Sequence, residues 1–134
     1  MKILVLTLFS LCNLALGQLK KKDLYGHWKV TKTIKNALKP ELRGILEGFK
    51  NATFSFANDH DFDLSTESKA PTFQMLLQLT KDAKWQFDES EQRILIGSEE
   101  NGYSIMGITP TASEKGMLFS LDESTMVFVV ERIP

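Results

Sequence analysis

The residues best equipped for chemistry sit in one short polar run, Asn58-Asp59-His60-Asp61-Phe62-Asp63. Three carboxylates at alternate positions match the way a calcium loop begins, but such a loop also needs a glycine at its sixth position and a glutamate at its twelfth. The chain has Leu64 and Ala70 there. The run reads as a polar hairpin turn, with a weak cation site as the alternative. Beyond it, Lys32 and Tyr103 are the other candidates for acid–base work, since burial of a lysine without an acidic partner lowers its pKa. His27, between Gly26 and Trp28, falls on the face opposite Trp28 and is expected in solvent. Glu89, Glu91, Glu99 and Glu100 read as solvated turn carboxylates. No G-x-S-x-G elbow, phosphate loop, G-x-G-x-x-G or H-E-x-x-H run occurs. No catalytic residue, metal ligand or cofactor is therefore assigned, and the expectation is a protein that is not an enzyme.

The first residues read as a leader rather than as fold. Met1-Lys2 is a short positive start, residues 3–11 are apolar, and Ala15-Leu16-Gly17 is a small-x-small cleavage signature. Cleavage is expected after Gly17, leaving one domain over residues 18–134. The product would be secreted or periplasmic. Cys12 lies inside the apolar region, with Leu11 and Phe9 before it, a poor context for a lipid anchor. A chain cut after Gly17 has no cysteine, so packing must supply its stability without disulfides. No later stretch is long and apolar enough to span a membrane as a helix. A formal net charge of −1 gives no field to gather nucleic acid. The local Lys20-Lys21-Lys22 patch reads as a solvated, frayed end.

Positioning these residues falls to a series of short strands. Alternation and β-branched content predict strands over 26–34, 52–57, 62–66, 83–87, 92–97, 103–109, 116–121 and 125–132. Asn101-Gly102 signals a hairpin, and Pro110 is expected to break the sixth strand. Two short helices interrupt the series. Pro40 opens the first, whose apolar stripe is Leu42, Ile45, Leu46 and Phe49; Gly44 and Gly48 weaken it, so it must be packed down. Thr72 is expected to cap the second, over residues 73–80, with Phe73, Leu76 and Leu77 inward. The fold class is thus all-β with two short helices. Eight antiparallel strands suit an up-and-down β-barrel, with an open sandwich as the alternative.

Period-two alternation assigns an inward face. The lumen-lining candidates are Phe54, Phe56, Phe62, Trp85, Tyr103, Ile105, Phe119 and Phe128. Trp28 anchors the first strand, and Gly26 lets the backbone turn tightly or lets a neighbour close in beside the ring. Arg132 shares the inward parity of Met126, Phe128 and Val130 at the end of the last strand. If the first and last strands pair, its guanidinium can stack on Trp28, or it can snorkel to water. Lys32 also has inward parity, which a bulge or a lumen opening must resolve.

With Gly26-x-Trp28 opening the first strand, eight strands, the Lys84-Trp85-Gln86-Phe87 strand and Arg132 closing the last, the chain resembles the lipocalin-like (calycin-like) proteins. The likeness is closest to small bacterial lipocalin-like domains of secreted proteins. It implies a barrel closed at the Trp28/Arg132 end and open at the other, holding a small hydrophobic molecule in its lumen. The chain departs from that pattern in being shorter, in lacking cysteines after the leader and in carrying a helix between its first two strands. With Phe87, which shares the face of Trp85, nine rings are assigned inward, enough to fill a small barrel. The expectation is a secreted or periplasmic binding protein for a small hydrophobic ligand. The alternatives are a filled barrel that binds a protein partner, and an enzyme of the same fold.

Overall fold

Strands with one apolar face must bury it, and these do so by curling a single sheet around their aromatic side chains. The computed structural model describes residues 18–35, 43–114, 116–122, 124 and 126–134. The expected leader, residues 1–17 with Cys12, lies outside the described residues, as do Pro40 and Leu42 of the first helix.

A single 3-10 turn, Lys21–Leu24, precedes β1 (Gly26–Lys35); α1 (Arg43–Phe49), β2 (Thr53–Phe56), β3 (Phe62–Ser65) and α2 (Pro71–Thr80) follow. The remainder is β4 (Lys84–Asp88), β5 (Arg93–Gly97), β6 (Met106–Ser113), β7 (Gly116–Leu121) and β8 (Val127–Ile133). The sheet order is β3-β2-β1-β8-β7-β6-β5-β4, antiparallel throughout. The first and last strands pair, with Trp28 opposite Arg132 and Val30 opposite Val130. The seam of the nearly closed barrel lies instead between β3 and β4. A lone bridge joins Asp61 to Lys84 there, with Phe62 N–H donating to the Ala83 carbonyl (3.0 Å) and Trp85 N–H to that of His60 (2.9 Å). The chain between those strands is spent on α2 rather than on a tight hairpin.

Several expectations change in detail. The register of β1 against β8 slips between Val30 and Lys32 and again between Thr33 and Lys35. The first slip turns Lys32 out to solvent, so no lysine enters the lumen at this point. The sixth strand starts at Met106 rather than Tyr103 and runs through Pro110 to Ser113. Its ladder with β5 ends at Ile108, so Pro110 has a strand partner on one side only, where a missing N–H is tolerated. Asn101-Gly102 lies in a wider loop over 98–105, because the Asn101 side-chain oxygen accepts the N–H groups of Ser98 (2.9 Å) and Ser104 (3.3 Å). The second helix begins at Pro71, whose fixed φ suits a first helical position, so Thr72 is already helical and does not cap.

The lysine-rich start is ordered. Leu19 and Leu24 are buried, and the Lys21 ammonium sits 2.7 Å from His60 Nε2 and over the Trp85 ring. Of the expected solvated, frayed end only the solvation holds, at the exposed side chains of Lys20 and Lys22, because the Lys20 backbone is hydrogen-bonded to Asp23 in both directions. The two leucines that flank the three charges pack this start against the barrel.

Candidate functional site: the mouth of the barrel

One end of the barrel is shut. Trp28 is buried and its indole N–H donates to the Leu24 carbonyl (3.0 Å). The Arg132 guanidinium lies 4.6 Å from the Trp28 ring centroid and donates to the Asp23 carbonyl (2.6 Å). This one side chain ties the end of β8 to the start of β1 and to the turn before it. Gly26 is needed for its backbone, at φ +122°, a conformation that L side chains rarely adopt. A Cβ there would meet only Arg132 Nε at 4.0 Å, so close approach is not the reason for the glycine.

The interior is made of rings. Phe54, Phe56, Phe62, Trp85, Phe119 and Phe128 are all buried. Ring centroids lie 5.4 Å apart for Phe54–Phe119, 5.1 Å for Phe56–Trp85 and 6.1 Å for Trp28–Phe119. Phe49 of α1 extends the stack onto Phe54 (5.8 Å) and Phe128 (5.1 Å). Spacings of this kind are aromatic contact, and they occupy the lower lumen with side chains. These six candidates are therefore brought together as a packed core.

The other two lumen candidates lie elsewhere. Tyr103 and Ile105 sit in the β5–β6 loop, half-buried, on the wall of a pocket of about 420 Å³ at the open end. Ile45 and Phe49 of α1 and Leu76 of α2 roof it; Met106, Leu121 and Met126 form its inner wall. The Gly48 carbonyl accepts from Thr66 Oγ1 (2.6 Å), and Phe73 packs edge-on against Phe49 (4.9 Å). The glycine-weakened helix is thus held down over the mouth, as its composition required.

The outer wall of this pocket is polar, and no motif in the sequence marks it. Gly107 and Leu95 are register partners on the face opposite the buried Ile94, Ile96 and Ile108. Across Gly107 lies an ion pair between Arg93 and Asp122, with Arg93 Nε donating to Asp122 Oδ2 at 2.9 Å. Thr109 Oγ1 donates to the other carboxylate oxygen (3.3 Å). Hydrogen bonding to Asp122, then its charge, pushes the pKa of Arg93 further up, so the guanidinium stays charged. The two partners stand 29 positions apart and meet only because β5, β6 and β7 are adjacent, so no local pattern announces them.

No family model, curated protein or solved structure matches this chain.

The acidic run lies outside this mouth. It forms the β2–β3 turn, with Asp59 Oδ1 accepting the Asp61 N–H (3.1 Å), His60 at φ +77° and Asp61 paired to Lys84 across the seam. Among the described residues no three His, Cys, Asp or Glu side chains converge as a metal site. His27 is exposed, with Nδ1 2.7 Å from Ser55 Oγ. Both border a groove of about 440 Å³ outside the closed end, along with Tyr25, Asp63 and the edges of Phe56 and Phe62. That groove is of similar volume, yet no helix residue covers it and its two phenylalanines are already buried in the core. The mouth is therefore the better candidate. No helix among the described residues is long and apolar enough to cross a membrane.

Proposed function

We propose that this chain is a lipocalin-like binding protein, secreted or periplasmic, that holds a small hydrophobic ligand in the mouth of its barrel. The observation that supports it is the roofed pocket of about 420 Å³ with an apolar inner wall. That volume falls in the lower part of the usual range for small-molecule sites, about 300–1,000 Å³. The eight-residue lumen expected from alternation narrows here to Tyr103, Ile105 and their helical roof, because the deeper rings already contact one another. The test is titration with N-phenyl-naphthylamine, an uncharged fluorophore that brightens on leaving water. The wild type is expected to bind it, and Ile105→Trp, which fills the pocket without touching the core rings, to bind it at least about tenfold more weakly. A wild type that leaves the fluorophore dark contradicts the reading. Export is tested separately, by N-terminal sequencing of protein released from its own host, with Gln18 expected first.

A second reading, a filled barrel that binds a protein partner, has one observation in its favour. Met75 and Leu79 are 68% and 64% exposed, one turn apart on α2, a helix without a charged residue. It predicts that Met75→Glu with Leu79→Glu abolishes a cross-linked species that the wild type forms. A wild type that recovers no partner counts against it.

A further inference from the structure

We propose that the mouth selects an uncharged amphiphile, with the Arg93–Asp122 pair receiving a neutral polar head such as a hydroxyl or amide. This rests on reading the mouth as a ligand site and goes further, to the chemical class of the occupant. Arg93 and Asp122 are the charged side chains lining the pocket among the described residues. They already neutralise each other at hydrogen-bonding distance, and Glu91 places a second carboxylate 3.7 Å from the same guanidinium. A ligand carboxylate arriving here would face two acids competing for one arginine, and an ammonium group would have to draw Asp122 away from Arg93 and Thr109. A hydroxyl or amide does neither, because it can accept from the guanidinium and donate to the carboxylate without breaking the pair. Gly107 makes room for the pair itself, since a Cβ there would run into Asp122 and Arg93. The apolar remainder then lies under α1 and α2. At roughly 30 Å³ per water-sized group, the volume suits a chain of about a dozen carbons with a small head.

The experiment displaces N-phenyl-naphthylamine from the full chain at neutral pH with dodecanol, dodecanoate and dodecylamine in parallel. An alcohol enters any greasy site more readily than its charged analogues, so the variants decide the assignment. In the wild type, dodecanol is expected to displace at concentrations about tenfold or more below the other two. Asp122→Asn releases Arg93 and should improve dodecanoate by about tenfold; Arg93→Gln should do the same for dodecylamine. Either variant suffices if the other does not fold. Dodecanoate matching dodecanol on the wild type overturns this inference and leaves the mouth as a ligand site. A wild-type preference for dodecanol that neither variant alters removes the head group from the Arg93–Asp122 pair. Failure of the fluorophore itself to bind overturns both readings.

Discussion

Arg132 shows how much one side chain can hold when its chemistry is planar. It stacks on Trp28 while donating to the Asp23 carbonyl, so a single guanidinium joins three segments at the closed end. Removing it loses a cation–π contact and a charge-assisted hydrogen bond. Arg132→Ala should therefore cost about 1–3 kcal/mol in denaturant unfolding. Arg132→Lys should recover a minor part of that, since an ammonium cannot stack and reach the carbonyl in one geometry. Equal stability of the lysine variant and the wild type would show the stack to be incidental. Trp28 and Arg132 were legible in the sequence because parity and strand order alone bring them together. Arg93 and Asp122 were not, because each has the outward parity or turn position of an ordinary surface charge.

The helices and the seam carry the element-scale consequences. Gly48 of α1 meets Phe73 of α2 so closely that a Cβ would fall within the ring. Gly48→Ala raises intrinsic helix propensity yet should destabilise by about 1–3 kcal/mol, because the two helices must part. A more stable alanine variant in a thermal melt would mean the roof is not packed as described. At the seam, the Asp61 hydrogen bond and charge raise the pKa of Lys84. A raised lysine contributes its stability fully below about 10.4 and loses it as pH climbs through the higher folded value. In the β4–β5 turn, the Ser90 hydroxyl and then the Glu91 N–H lower the pKa of Asp88. That contribution is present above about 4 and fades as pH falls through the lowered value. Lys84→Met should therefore speed hydrogen exchange at the Phe62 and Trp85 amides, leave β8 protected and flatten the alkaline limb. Seam amides that exchange no faster than those of β8 would contradict a weak closure there. The seam itself was illegible, because the sequence says which segments are strands but not which neighbouring pair is held by a single bridge. The Val30–Lys32 slip was hidden for the same reason, since a bulge is set by the partner strand.

For the whole molecule, the arithmetic of volume matters more than the resemblance. Alternation alone found the aromatic interior, and Phe54, Phe56, Phe62, Trp85, Phe119 and Phe128 all point where period two sends them. What alternation could not supply was how far those rings fill the space, or that the β5–β6 loop would carry Tyr103 and Ile105 out to the rim. On the proposed function, ligand space begins above the rings and not among them. The most direct measurement is a nuclear magnetic resonance titration of the isotopically labelled chain with dodecanol. Shifts should concentrate on Ile45, Leu76, Ile105, Met106, Leu121 and Met126, with Phe56, Trp85 and Phe119 unmoved. Shifts centred on those three rings, or none at saturating ligand, would contradict it.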